Sequence, residues 1–572
     1  MRTVQLVRTT LTAGVIVLAS GIAVLPAENT RSAVPANPDA ATIVHVLNRI
    51  GFGPAPGDVE RVRRVGLDKY IEQQLHPERI ADLAMARRLA GFETLTKSSR
   101  DLAENYFMPA MMERRRAQQQ AAAEPPAEQR AAEQQATMPS GDAAGSADRR
   151  AMRTPGQVEA MRAERLVFAE LSQQKVLRAA YSERQLEEVM VDFWFNHFNV
   201  FAGKGATRLY LMEYERDTIR PRVFGQFRDL LGAAAHSPAM LFYLDNWQSS
   251  APEGRPRASA PKLRLNRRLF GGGQNGIGIG ARRGPPTAAD LSQTAPNRRA
   301  RGLNENYARE LMELHTLGAD GGYTQKDVQE VARAFTGWTI ANPRQGGGFQ
   351  YEARMHDAGE KVVLGHRLKP GGGKQDGEQV LDILASHPST ASFIATKLAR
   401  RFVADEPPAS LVDRAAARFR ETGGDIREVV RTIVTSPEFF AKAAYRAKVK
   451  TPFEFVSSAV RAVSAEAVNA QPLVQAIRDL GMPPYQCQPP TGYADRADAW
   501  VNTGALLTRM NFAVALTGGR MRGIRTAPQR DVIVEQMLAG DLSDATRSTV
   551  ARAAEPSQMA ALLLGSPEFQ KR

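Results

Sequence analysis

Apolar positions recur at i, i+3, i+4 and i+7 along most of this chain, the period at which one face of an α-helix meets a core. From Asp39 to about Leu75 the pattern predicts three short helices, with Asp39 as a cap and Gly51 and Gly66 as stops. A long helix is expected over residues 162–181, and Ser182 and Gln185 stand at capping-box spacing for the next, which the pattern carries to about Phe201. That second helix contains Phe193-Trp-Phe-Asn-His-Phe-Asn-Val200. Trp194, His197, Phe198 and Phe201 share one stripe, while Val189, Phe193, Asn196 and Val200 share another. A helix apolar nearly all round belongs at the centre. In residues 302–318, Tyr307, Ala308, Leu311, Met312, Leu314 and Leu317 fill one broad arc. Thr324 and Asp327 open a further helix ending near Gly337 and Trp338. Phe349 to Glu352 and Lys361 to Leu364 read as a short hairpin across Asp357-Ala-Gly359, with His356 at its tip. Ser436-Pro-Glu-Phe439 and Ser566-Pro-Glu-Phe569 repeat one helix opening, a Ser cap followed by Pro. The expected fold is mainly α: a large multi-helix domain with one short β-hairpin and low-complexity inserts.

Composition changes this picture in three places. Residues 1–27 join Arg2 and Arg8 to an apolar run from Leu11 to Leu25 and then Ala27, the form of a secretory signal peptide or, uncleaved, an N-terminal anchor. Residues 115–157 are dominated by Gln, Ala, Glu and Pro and cannot bury much surface, so they are expected to be a disordered insert. Residues 249–302 form a basic, Gly/Pro-rich loop: eleven Lys or Arg against two acidic side chains between Pro252 and Arg301 supply +9 of the net +14. With the charge confined to one loop, nucleic acid is not the expected partner; anionic polysaccharide, lipid headgroups or an acidic partner are. The remaining segments read as an N-terminal helical layer (40–114), central helices (158–248) and the helical remainder of the same domain (303–572). After signal cleavage no membrane span is expected. The single cysteine, Cys487, cannot form an intramolecular disulfide, so an exported, periplasmic or secreted form must rely on its core.

Candidate chemistry gathers on two of these helices. Asn304, Glu310 and His315 fall within the apolar arc of 302–318 and are expected to be buried. Glu305 and Arg309 point outward as an i,i+4 ion pair. Polar groups in a buried stripe need partners, and a carboxylate beside an imidazole is a common route to a perturbed pKa. One reading makes Glu310 a general acid or base, His315 or His197 its partner, and Asn196, Asn304 and Arg309 the groups that orient substrate. The other has Asn304 capping the helix and the remaining groups satisfying buried backbone. A metal site lacks the His-x-x-x-His spacing and requires His197, His315 and His356 to converge through the fold. No Gly-x-Ser-x-Gly elbow occurs, and the glycines of 271–280 follow no strand, which argues against a dinucleotide site.

Several of these segments are similar to a known family. Asn48-Arg-Ile-Gly-Phe-Gly-Pro54, the Phe193–Val200 motif, Asn304 to Gly318, Ala334-Phe-Thr-Gly-Trp338, His356-Asp357, Lys450-Thr-Pro-Phe-Glu454 and Trp500 to Asn511 resemble the bacterial family called "domain of unknown function 1800". The resemblance covers nearly the whole chain from about residue 40, with the two low-complexity stretches as insertions. It implies a large exported protein of unassigned activity, and a neighbouring gene product similar to secreted alkaline phosphatases and sulfatases as a partner. Hallmark positions map onto Asn196, His197, Asn304, Glu305, Asn306, Arg309, Glu310, Glu313, His315, Gly337 and Trp338. Where the family tends to have Gly-Trp after a Pro-rich turn, this chain has Gly492-Tyr493. Three functional expectations follow: a hydrolase or lyase acting on a surface or environmental polymer, a non-catalytic helical scaffold docking the phosphatase-like partner, and a binder of anionic polymer through the basic loop.

Overall fold

The computed structural model describes residues 32–123, 155–252, 302–526 and 530–572. The expected leader 1–27, most of the insert 115–157 and most of the basic loop 249–302 lie outside them. One apolar core runs from Ile43 in the first helix to Phe569 near the end, and the elements around it are mainly α-helical. Among the described residues no helix is long and apolar enough to cross a membrane.

The opening layer forms as the pattern predicts: Ala40–Arg49, Asp58–Val65 and Leu67–Leu75 are helices, and Asp39 accepts the Thr42 N–H at 2.8 Å. The long helix begins earlier than expected and spans Pro155–Tyr181. It packs on Pro452–Ala462 and Gln471–Asp479. The helix Gln185–His197 stops four residues short of the expected end, and Ser182 does not cap it: the Ser182 hydroxyl donates to Asp82 and accepts from Arg184 N–H. Its burial is as the sequence demands, with Leu186, Val189, Met190, Phe193, Trp194 and His197 all enclosed.

The segment after Asn304 departs from a plain helix. Glu305–Met312 is α-helical, and Glu313–Leu317 then widens into a π-helical turn that ends at Gly318, whose φ is 80°. A Cβ there would lie 3.0 Å from the Phe393 ring, so glycine lets this turn sit directly on the helix Pro388–Phe402. The capping box at Thr324 and Asp327 forms and opens Gln325–Ala334.

The expected hairpin is replaced by two. Phe349–Tyr351 pairs with Trp338–Ile340, and Lys361–Val363 pairs with His366–Leu368. Lys361–Val363 meets its partner across only Leu364 and Gly365, whereas the connection the expected hairpin needed, 353–360, is eight residues long, so the tight turn takes that strand. His356 is consequently buried between the two ladders rather than at a tip. A third ladder joins Glu466–Ala467 to Ile524–Arg525. Of the two repeated Ser-Pro-Glu-Phe openings, the second caps the helix Pro567–Gln570 while the first forms only a turn.

Candidate functional site

Two asparagines at the end of Gln185–His197 shape the site by holding a distant loop. Asn196 Nδ2 donates to the Tyr493 carbonyl (2.8 Å), and the Tyr493 N–H donates back to Asn196 Oδ1 (2.7 Å). Asn199 Nδ2 donates to the carbonyls of Cys487 and Pro489. Gly492 has φ 73°, and a Cβ on it would meet the Asn196 carbonyl oxygen at 2.3 Å, so the close approach depends on glycine. The Pro-rich turn thereby becomes a fixed wall, and Cys487 within it is a buried thiol pushed up to about 11 by burial.

Between that wall, Gln185–His197 and Pro388–Phe402 lies a cleft of about 230 Å³. Asn196 and His197 line it from one helix, and Lys397, Arg400 and Arg401 from the other. The loop adds Tyr493, Asp495 and Arg496. His197 sits in an aromatic cage of Phe193, Trp194, Phe198 and Phe393. Its Nε2 is 3.1 Å from the His315 backbone carbonyl, so Nε2–H donates and Nδ1 keeps its lone pair, which has no partner. The two imidazole rings are 6.2 Å apart, and His315 Nε2 is likewise buried without a partner. Burial holds the His197 imidazole well below its ordinary value, reinforced by the nearby Lys397 ammonium. The same two causes, in the same order, lower His315 to about 3, so both rings are neutral at pH 7.

The Lys397 ammonium makes no hydrogen bond or ion pair within the described residues, and burial together with Arg400 lowers it to about 8. Arg401 is fixed from behind: its Nη1 bonds Glu454, which also accepts the Thr451 N–H as a capping box and lies 3.1 Å from Arg572 Nη2. These two guanidinium groups hold the fully buried Glu454 carboxyl far below the usual carboxylate range despite the opposing effect of burial. The Nε and Nη2 of Arg401 have no partner.

Of the sequence-predicted residues, the structure brings Asn196, His197 and His315 together, the first two lining the cleft and His315 packed against His197, and leaves the others apart. Asn304 is half-buried and caps its helix through Tyr307 N–H (3.0 Å) while donating to the Leu244 carbonyl (2.6 Å). Glu310 is also only half-buried, its pKa raised by burial and by Glu313. It does not line the cleft. Glu305 and Arg309 do not pair directly; Gln325 bridges them, accepting from Arg309 (2.8 Å) and donating to Glu305 (2.7 Å). His356 is committed elsewhere, with Nδ1 on the Thr336 carbonyl and Nε2 on Asp376. Among the described residues no group of three or more His, Cys, Asp or Glu is placed to hold a metal ion. Sequence reasoning missed Lys397, Arg400, Arg401 and Arg496, which read as the ordinary basic side of amphipathic helices and loops. The signal that pointed to them was Thr451 and Glu454 in the Lys-Thr-Pro-Phe-Glu motif, because Glu454 is what anchors Arg401.

Fold and cleft together define a large helical protein with a polar, cation-lined pocket at the junction of two helices and a clamped loop. The chain belongs to the family described as "Protein of unknown function (DUF1800)", whose sequence model matches residues 45–571. Comparison with curated proteins and with solved structures gives no match.

Proposed function

We propose that this chain is an exported enzyme, a hydrolase or lyase acting on a surface or environmental polymer, with His197 as its proton-transferring group. The observation that carries this reading is the state of His197. Its Nε2–H is fixed by a backbone carbonyl, its Nδ1 lone pair is free, and the residue lines a cleft able to admit a ligand. A general base needs this arrangement: one nitrogen anchored to set tautomer and orientation, the other unpaired. A buried polar atom left unpaired costs about 1–3 kcal/mol. The unpaired Nδ1 of His197, which lines the cleft, and the unpaired Nε2 of His315, on a ring 6.2 Å away, have no evident structural return. Asn196 supports the wall, and Lys397 supplies positive charge beside the site. In this reading Glu310, Asn304 and Arg309 lie outside the reacting region.

The test is an assay of the mature protein on acidic and neutral polysaccharides. Reducing ends report cleavage, and the ultraviolet absorbance of an unsaturated product separates elimination from hydrolysis. His197→Gln is expected to lower turnover by about 10²–10⁴-fold. Equal turnover in the variant overturns the assignment.

A second reading rests on a different surface. The helix Thr503–Thr517 leaves Leu506 46% and Leu507 63% exposed beside Val501 and Val514, which favours a docking face for the phosphatase- or sulfatase-like partner. Gel filtration of the two purified proteins tests it, with Leu507→Asp expected to abolish co-elution.

A further inference from the structure

The charges around the cleft do not balance. Two carboxylates line it, Asp192 and Asp495, and both are already engaged by cations outside the lining: Asp192 by Lys175 at 2.7 Å, Asp495 by Lys448 at 2.9 Å. Of the four lining cations only Arg401 has a close buried carboxylate, Glu454. Lys397 has no ion pair among the described residues. Arg400 donates from Nε only to the Asp405 carbonyl, which is neutral. Arg496 reaches Glu406 and Asp498 only at 3.5 and 3.9 Å from a half-exposed side chain. Arg401 shares Glu454 with Arg572.

Behind Arg401 the excess deepens. Arg49 and Arg572 are both nearly inaccessible, and each keeps Nε and Nη1 without a hydrogen-bond partner. Arg572 has Glu454 at 3.1 Å and Asp495 at 4.0 Å, and Arg49 faces the same two carboxylates, so buried guanidinium groups outnumber the carboxylates they share, an excess that is costly at this depth unless something anionic completes it. The shape of the deficit also carries information. Nε and Nη2 form the side edge of a guanidinium, two parallel donors that match two oxygens of one carboxylate, phosphate or sulfate. On Arg401 this edge is unpartnered, and the residue is 5% exposed and lines the cleft. The cleft volume exceeds what a single oxyanion needs, which leaves room for the group that carries it.

We propose that this cleft is an oxyanion-binding site, in which a carboxylate, phosphate or sulfate group is held bidentately by Arg401 and paired with Lys397, while Arg49 and Arg572 contribute the field behind it. This deepens the enzyme reading by assigning the substrate class, a polymer or ester bearing an oxyanion. The site also stands without that reading, since it requires only binding. Bidentate guanidinium contacts account for recognition, and the unpaired ammonium supplies the second charge.

The experiment titrates the mature protein with inorganic phosphate, with glucuronate, and with chloride at matched ionic strength, followed by thermal shift and calorimetry. Saturable binding of phosphate or glucuronate is expected, with at least tenfold weaker binding in Lys397→Met and in Arg401→Lys. Phosphate alone marks a free-ion site, and glucuronate alone marks a site for the carboxylate of a larger ligand; each supports the assignment. Identical responses to all three salts overturn it, as does unchanged affinity in Lys397→Met, the variant that leaves every buried ion pair intact. Binding without turnover on any polysaccharide keeps the oxyanion site and removes the enzyme. Turnover of a neutral polymer with no oxyanion binding does the reverse.

Discussion

Two regions of this protein bury imidazole, carboxylate and cationic groups to a similar depth, and they treat them in opposite ways. Around the double hairpin, Arg333 donates to Asp357 from Nε (2.8 Å) and Nη2 (3.1 Å), and Lys361 donates to Asp376 (2.6 Å). His356 has both ring nitrogens bonded, and Asp357 also accepts the Gly359 N–H. Every charged group there has its complement. At the cleft, His197 and Arg401 keep unpartnered nitrogens and Lys397 has no ion pair among the described residues, while His315 beside His197 also leaves Nε2 unbonded. Burial alone therefore does not distinguish a structural polar cluster from a functional one; the pairing of its charged groups does. A closed network is the form buried polarity takes when folding is its only task.

The largest expected effect breaks the closed side. Asp376→Ala strands the Lys361 ammonium and the His356 ring in an enclosed space, and removing one partner of a buried pair costs about 3–5 kcal/mol. Urea unfolding should show that loss; a change below about 1 kcal/mol would falsify the closed-network account. Acidity then separates the two regions by window. The lowered values of Asp357 and Asp376 mean that their contribution is complete above the unfolded value of 3.8 and is lost only as pH falls through the still lower folded values. The imidazoles behave otherwise. His315, at about 3 in the folded chain, stays neutral while the unfolded chain takes up a proton below about 6.5, and His197 follows the same direction. Stability should thus fall from about pH 6.5 to 4.5 at about 1.4 kcal/mol per pH unit for His315, with a contribution of the same sign from His197. His315→Gln should flatten that slope by one ring's share, and a slope identical to the parent's would contradict the assignment.

How much of this was legible in the sequence follows from what kind of signal each part leaves. Helices announce themselves by period and caps, so Asp39, Thr324 and the all-apolar Gln185–His197 were readable. The pairing of Phe349 with Ile340 was not, because three-residue strands carry too little alternation to choose a partner. The enclosure of His197 and His315 and the partial burial of Asn196 were readable because polar groups on apolar arcs stand out. Glu310 lies in the regular α-helical part, ahead of the π-turn at Glu313, at the half-buried edge of the apolar arc, and a helical wheel does not separate such an edge from the enclosed centre. Lys397 and Arg401 were invisible because a basic residue near a helix C-terminus has an ordinary explanation in the helix dipole. Only tertiary contact with Glu454 and the clamped loop gives them another.

A smaller effect is expected where the polar residues proved to be local. Asn304→Ala removes a cap and the bond to the Leu244 carbonyl and should cost about 1 kcal/mol, with oxyanion binding unchanged. Thermal melts and the phosphate titration together check both halves of that statement. A loss of binding equal to that of Lys397→Met would move Asn304 back into the site.

The smallest change in stability is expected at Lys397, and it tests the comparison most directly. Lys397→Met keeps a straight side chain of similar helix propensity on the face that packs against Phe393 and deletes an ammonium that bonds nothing. No carboxylate is stranded by its removal, since Asp495 keeps Lys448. Stability should therefore stay within about 0.5 kcal/mol of the parent, the range of substitutions that break no network. The same chemical change at Lys361 removes the partner of Asp376 and should cost several times more. If the two lysines prove equally costly, the cleft is as closed as the hairpin, and its cations belong to the fold; if only Lys361 is costly, Lys397 is held in place for a ligand's charge rather than for the protein's own.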